Sequence, residues 1–571
     1  MCGIVGYTGF KNAVDVVFDG LKTLEYRGYD SAGIAVSGKN IEVFKAVGRV
    51  SELKAKLPSA SFATAIGHTR WATHGKPLEK NAHPHISFDG KIAVVHNGII
   101  ENFKHLKRKV EEKGITFLSD TDSEIIAHLL ALDNSPDFLQ AVENVSRLLK
   151  GAATFLAIRE GDDKIYCSKC GASLTIGMGD DENFVASDTL AICEHTNRMI
   201  PLLDGDTAVI SREKVNIYHA KELVFRPAYN LNRIRPTDSD CFMASEINEI
   251  PIAAKRTIDG FLHCSNKTAE EKIKNADKLY FVGCGTAYHA CLYAKHVFSR
   301  LLQKNCEAVE SSEFEDALVT EHTVAVFVTQ SGETADTVIA TKRLRQQGGY
   351  AIAICNVQGS LISFEADATY FTHAGAEVAV AATKSYVSQL ALLYVLAKKC
   401  AGLVDDFEPA LVDCLEKTLE QNIFLPDCLD KKIFFIGKGQ DVVTAKEAAL
   451  KVKEITYKMT DAYPAGELKH GPIALIDDNS LAIVVATNED DKARIEATTS
   501  ELRSRGATVF AVSGIGDIGA DKTVNLPVLG DKLLFPLIAI LPLQRFALDL
   551  SIAMGLNPDK PRNLAKSVTV I

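Results

Sequence analysis

The chain has 571 residues, 47% hydrophobic and 24% charged, with 63 Lys+Arg against 73 Asp+Glu and a net charge of −10. At roughly 100–200 residues per domain, this predicts about three or four globular domains. The acidic balance and the lack of a basic tract argue against a nucleic-acid partner. Its 13 cysteines, an odd number spread from Cys2 to Cys428, fit a reducing cytoplasm rather than a disulfide framework.

No cationic segment precedes an apolar stretch at Met1-Cys2-Gly3, so no secretory signal is expected. Residues 2–225 mix short strands with helices. Ile4–Tyr7, Ile34–Val36, Ala63–Gly67, Ile92–His96 and Phe155–Ile158 read as strands, and Ala13–Leu24 and Ser123–Leu132 as helices. Sheets flanked by helices follow from that mixture. A polar stretch with Arg233, Arg235, Pro236 and Asp238 marks a linker over 226–242. Ser245–Lys255 reads as one helix. Beyond it the sequence repeats: LYFVGCG at Leu279–Gly285 returns as IFFIGKG at Ile433–Gly439, about one domain length later. Strand-like runs Val324–Val328, Ala351–Cys355, Leu481–Val485 and Thr508–Val512 alternate with helical stretches. That alternation predicts an α/β pair of doubly wound parallel-sheet domains, 243–415 and 416–560, with a tail over 561–571. The most apolar stretch, Leu533–Met554, is broken by Pro536 and Pro542 and carries Arg545 and Asp549. A buried helix is expected there, and no membrane partner.

Cys2 is the residue with the most chemistry. Met before a small side chain is normally removed, leaving a thiol and a free α-amine on one residue. An α-amine has a pKa of about 7.7–8.0, so it can serve as the thiol's own base. The bland alternative is a small hydrophobe at a strand start. Around Cys2 stand CGIVGYTG (Cys2–Gly9), LEYRGYDSAGIA (Leu24–Ala35), GHTRWATHG (Gly67–Gly75), NAHPH (Asn81–His85), HNGIIEN (His96–Asn102) and SDTDSE (Ser119–Glu124). In this order the motifs resemble the glutaminase domain of class II, N-terminal-nucleophile amidotransferases, an αββα sandwich.

The resemblance implies that Cys2 is the nucleophile, with Asn97 and Gly98 as the oxyanion hole. It implies that Arg70 and Asp122 hold the glutamine carboxylate and α-amine, that Thr73 and His74 line the pocket, and that Arg27 lies on a closing loop. Trp71, the single tryptophan, would gate an internal ammonia passage. The dense histidines (His68, His74, His83, His85, His96) show no H-E-x-x-H spacing, and Cys167 and Cys170 form a lone C-x-x-C, so no metal is expected.

In the second half, TQSGETADT at Thr329–Thr337 and GCGTAYHA at Gly283–Ala290 follow strands and open helices. Helix N-termini of this kind favour anions, although a hydroxyl helix cap looks similar. These motifs resemble SIS (sugar isomerase) domains, which implies Thr286, Thr329, Gln330, Ser331 and Thr334 as sugar-phosphate ligands. EAALKVKEITY (Glu447–Tyr457), AYPAGELKHGP (Ala462–Pro472) and PRNLAKSVTVI (Pro561–Ile571) extend the resemblance. They imply Glu454 as the base moving a proton between two sugar carbons, His470 as the ring-opening group serving a partner subunit, and Lys566 as a Schiff-base amine. Lys451 lies one helical turn before Glu454. The bland readings are a surface ion pair worth about 0–1 kcal/mol and a solvated tail lysine.

The tandem of glutaminase and two SIS domains resembles a family of isomerising sugar-phosphate amidotransferases. It implies a cytoplasmic homodimer that converts L-glutamine and D-fructose 6-phosphate to L-glutamate and D-glucosamine 6-phosphate for amino-sugar synthesis, with no cofactor (neither pyridoxal phosphate nor metal). Three positions depart from the pattern: Ala287 and Ala382 each replace a serine, and Thr329 replaces another but keeps the hydroxyl. Each lost hydroxyl costs about 0.5–1.5 kcal/mol if it bonds substrate. The chain also lacks a long insertion associated with feedback inhibition by a nucleotide sugar. A related enzyme for another ketose phosphate and a vestigial sugar-phosphate sensor are the alternatives.

Overall fold

The computed structural model describes residues 2–71, 75–230, 239–264, 266–403, 406–421 and 428–568, without the side chains of Tyr26 and Arg27. Thr73, His74 and the linker positions 231–238 lie outside the described residues.

The N-terminal part packs an eight-stranded antiparallel sheet on a seven-stranded one. The first has Gly3–Gly9 at its centre, between Thr64–Arg70 and Glu182–Ala186. Along Gly3–Gly9 the side chains alternate. Val5 and Tyr7 pack with Val14, Val17 and Leu21 of the helix Ala13–Thr23, while Ile4 packs with Ile66, Val95 and Leu156 between the sheets. Asn12 caps that helix, its side chain accepting from the Val14 N–H. Outside the second sheet, the helices Phe103–Glu111, Glu124–Leu132 and Phe138–Leu148 lay Ile125, Leu130 and Val142 on Val94 and Phe155. The result is the four-layer αββα sandwich.

The second half holds two five-stranded parallel sheets of one topology. The first runs Cys306–Glu310, Lys278–Gly283, Thr323–Val328, Tyr350–Cys355, Ala368–Phe371 in spatial order; the second runs Thr460–Pro464, Lys432–Gly437, Ser480–Ala486, Thr508–Ser513, Lys522–Asn525. The repeated Gly-x-Gly has one physical reason in both copies. A Cβ on Gly283 would stand 2.9 Å from the Ala287 carbonyl carbon, and one on Gly437 2.5 Å from that of Asp441, so the following helix packs directly on the strand end. The second glycines, Gly285 (φ 54°) and Gly439 (φ 60°), take left-handed backbone.

One apolar core spans both sheets. It includes Tyr293, Tyr386 and Leu390 from the first repeat, Val452 from the second, and Ile540 and Leu543 from the helix Phe535–Ala553. That helix carries Pro542 inside it. Lys532–Ala553 is long and apolar enough to cross a membrane, but 89% of its apolar 18-residue window is buried within the protein. The helix Glu408–Leu419 packs against both Ile250–His263 and Phe535–Ala553, and the expected boundary at 415/416 falls inside it. The single helix expected over Ser245–Lys255 is instead two, Phe242–Asn248 and Ile250–His263. Pro251 stands in the first turn of the second, where its missing N–H is tolerated.

Candidate active site

Register places the glutaminase residues. Pairing of Gly3–Gly9 with Thr64–Arg70 sets Gly3 opposite Thr69, which brings Cys2 beside Trp71. The Cys2 Sγ accepts from the Trp71 N–H at 3.3 Å and lies 3.6 Å from the Trp71 carbonyl. Burial raises the Cys2 thiol pKa above its ordinary value, although the Trp71 N–H and Arg70 pull the other way. A resting thiol of this kind needs a base to become a nucleophile. Asn97, on the strand Ile92–Ile100, donates from Nδ2 to the Cys2 carbonyl at 3.1 Å. Gly98 follows at φ 134°, and a Cβ there would stand 1.9 Å from the Ala152 carbonyl oxygen, so only glycine fits.

Behind Asn97 lies His68, fully buried, which the motifs did not single out for this role. Its Nε2 is 3.1 Å from Asn97 Oδ1 and 3.0 Å from the His96 carbonyl. Both neighbours are acceptors, so Nε2 carries the proton and fixes which way the Asn97 amide faces. Burial lowers the His68 pKa to about 3, which keeps it neutral. Asp122 accepts from the Ile100 N–H at 2.8 Å, and Arg70 donates to the Gly75 and Lys76 carbonyls at 3.0 and 3.4 Å. Trp71 is half-buried and meets Tyr29 edge-on, with ring centroids 5.5 Å apart. Thr73, His74 and the Arg27 side chain are outside the described residues.

The sugar half gathers its residues at the carboxyl ends of the strands, beside the switch point between Lys278–Gly283 and Thr323–Val328. Thr286 opens the helix Thr286–Leu302, and its hydroxyl is fully engaged: it donates to Glu447 Oε1 at 3.0 Å and accepts from Lys451 Nζ at 2.9 Å. Lys451 also pairs with Glu454 at 2.6 Å and Glu447 at 3.3 Å, and its side chain is 0% exposed. The surface-ion-pair reading is thereby overturned. Glu447 and His289 lie within the quoted motifs but were given no role there. The His289 Nδ1–H donates to Glu447 at 2.7 Å, and the net effect of burial, Lys451 and His289 lowers the Glu447 pKa. Burial opposes the charge on Lys451, but its two carboxylates outweigh this and raise its pKa.

In the second loop, Thr329 is buried and accepts from the Gly332 N–H at 3.2 Å, and Ser331 accepts from the Glu333 N–H at 3.1 Å. Thr334 precedes the helix Ala335–Gln346, whose first N–H donates to the Val568 carbonyl at 3.0 Å. The C-terminal tail thus docks on the loop expected to hold phosphate. Lys566 is no solvated tail residue. Its side chain is 5% exposed and bonds Glu377 at 2.5 Å. Gln330, Ser331, Glu377 and Lys566 line a cavity of about 200 Å³ whose opposite wall, including Ser187 and Cys193, belongs to the glutaminase sandwich. His470 is exposed on the short turn Glu467–His470. Among the described contacts it makes none with Lys451 or Glu454.

A part-buried thiol at the head of an αββα sandwich, and a cavity shared between that sandwich and a tandem of doubly wound sheets, define a glutamine amidotransferase coupled to a sugar-phosphate module. The glutamine amidotransferase domain family matches residues 68–194, and the SIS domain family matches residues 272–399 and 430–551. The chain is 40% identical to the isomerizing glutamine–fructose-6-phosphate aminotransferase of Thermococcus kodakarensis and 39% identical to that of Aquifex aeolicus. Each match covers 100% of both chains. Among solved structures, the C-terminal domain of glucosamine-fructose-6-phosphate aminotransferase from Francisella tularensis superposes with a TM-score of 0.52 at 28% identity. That match covers 56% of this chain and 98% of that one. The chain belongs to the isomerizing glutamine–fructose-6-phosphate aminotransferase family.

Proposed function

We propose that the protein takes ammonia from L-glutamine and transfers it to D-fructose 6-phosphate, giving L-glutamate and D-glucosamine 6-phosphate. The observation that carries this reading is the cavity placing Lys566 against the glutaminase sandwich. Once Met1 is removed, the Cys2 α-amine takes the thiol proton and the sulfur attacks the glutamine side-chain amide. Asn97 Nδ2 and the Gly98 N–H stabilise the oxyanion, each such donor contributing about 10²–10³ in rate. Arg70 and Asp122 hold the amino-acid end, and Trp71 gates the ammonia path.

Lys566 condenses with the ketone of the open sugar, Glu454 moves a proton between C1 and C2, and Lys451 fixes Glu454. The substrate ketone is its own electrophile, so this route calls for neither pyridoxal phosphate nor a metal. The exposed His470 fits a role in a partner's site, hence a homodimer, and the free cysteines fit the cytoplasm. The product would enter hexosamine synthesis.

The test is glucosamine 6-phosphate formation with glutamate release measured in parallel. Equal yields support the reading; glutamate without amino sugar from fructose 6-phosphate overturns it. The missing hydroxyls at Ala287 and Ala382 favour one second reading, a different ketose phosphate, and a panel of ketose phosphates in the same assay separates the two. Intact mass establishes whether Met1 is removed.

A further inference from the structure

The Lys566 ammonium sits in a built acidic pocket that the reaction outlined above leaves unexplained. Glu377 holds it at 2.5 Å. The same carboxylate accepts from the Thr383 and Ser385 N–H groups at 3.0 Å each and from the Ser385 hydroxyl at 2.7 Å. These donors surround the start of the helix Lys384–Ala401, so Glu377 is fixed in place whether or not the lysine is present. A second carboxyl, Glu246 on Phe242–Asn248, accepts from the Val378 and Ala379 N–H groups next in sequence to Glu377. Its Oε2 is buried with no hydrogen-bond partner among the described residues.

Burial and the neighbouring Glu377 raise the Glu246 pKa to about 8, so it is neutral. Burial opposes ionisation of Glu377 too, but Lys566 and Ser385 outweigh it and bring its pKa to about 2. The other charged and titratable groups around the pair are Lys384, itself paired with Glu249 at 2.6 Å, and, on the wall of the same cavity, His373, Cys193, Asp188 and Glu333, the last accepting from the Leu361 N–H at 2.9 Å. Of these carboxyls, Glu377 is the one paired directly with the Lys566 ammonium.

An ammonium cannot attack a ketone. We propose that Glu377 is the proton acceptor for Lys566: it takes one proton from Nζ so that the free amine attacks the sugar ketone, and returns it when the hydroxyl leaves. The Nζ–C2 bond forms and the C2–O bond breaks. Ammonium plus ketone gives iminium plus one water, and no net proton leaves the site. The proposal rests on the reading of Lys566 as the Schiff-base amine.

The experiment is borohydride trapping of the full-length protein with fructose 6-phosphate, reading the mass of the peptide that contains Lys566. Wild type should be labelled and Lys566→Arg should not; an unlabelled wild type overturns the Lys566 reading itself. With labelling established, Glu377→Gln should trap roughly 10²-fold more slowly at saturating sugar, within the span of general acid–base catalysis. Its sugar affinity by calorimetry should change less than about threefold, since proton transfer rather than binding is lost. The variant's rate should rise about tenfold per pH unit from about pH 6 to 9, as solvent must deprotonate the amine, while wild type and Glu377→Asp stay flat. A merely structural role would give no such slope. Wild-type rates in Glu377→Gln would overturn the proposal and leave the Lys566 reading standing. Should Glu377→Gln fail to fold, the wild-type profile decides: a flat rate supports the proposal, and a tenfold rise per pH unit overturns it.

Discussion

Lys451 shows how a single side chain binds structure to chemistry. With 0% exposure it neutralises Glu447 and Glu454 at once. Removing one partner of a buried charge group typically costs about 3–5 kcal/mol. Lys451→Met is therefore expected to lower stability by about that amount and to abolish amino-sugar formation, read by thermal unfolding and product assay. His68 acts through the Asn97 amide that it orients. In His68→Leu that amide loses its fixed direction. Glutamate release should fall roughly 10–100-fold in kcat with little change in KM, somewhat less than removing an oxyanion donor outright; an unchanged kcat would sink the assignment. Neither His68's role nor the Glu447–Lys451–Glu454 triad was legible in the sequence. Periodicity puts Lys451 and Glu454 on one face but does not say that the face is buried, and the partners Thr286 and His289 lie in the other repeat.

At the scale of elements, the short-range signals carried well. The strand–Gly-x-Gly–helix units were readable because each is a local steric requirement, seen again in the contacts at Gly283 and Gly437. The helix over Ser245–Lys255 was misread because helical patterning runs through Pro251, which starts a second helix rather than continuing the first. Three strands and their connections also assemble something with a pH signature. His68, His83, His85 and His96 are all buried, and burial lowers each pKa. A histidine charged in the unfolded chain but neutral in the fold contributes stability above about pH 6.5 that is lost as pH falls towards the folded value, about 3 for His68. Each can cost up to about 1.4 kcal/mol per pH unit. In the sugar half, the raised Glu246 and Asp441 oppose the lowered Glu377 and Glu447. Acidification should thus open the N-terminal sandwich first. Hydrogen exchange stepped from about pH 7 to 4 would show protection lost there before the parallel sheets, and simultaneous loss would contradict the argument.

Across the whole molecule, what couples the halves was invisible to motifs, because ion pairs between distant segments have no spacing. Asp204 bridges the sandwich to the first parallel sheet, bonding Lys169 at 2.6 Å and Lys342 at 2.8 Å. Tyr229 donates to the Gln358 carbonyl at 3.2 Å, and Lys560 pairs with Glu25 at 3.3 Å. Lys342 is one-third exposed, so Lys342→Met should cost less than about 1 kcal/mol of stability. It should instead raise the ratio of glutamate to glucosamine 6-phosphate as ammonia escapes; a ratio held at one would show that the bridge does not set the coupling. The apolar core shared by the two repeats has a different consequence. Each repeat is only half of an interior, as though two sister proteins had been spliced into one chain and kept their mutual embrace. Neither sister can be lifted out intact. Cut free, each would expose a broad greasy face, and it should pair with its own kind or precipitate.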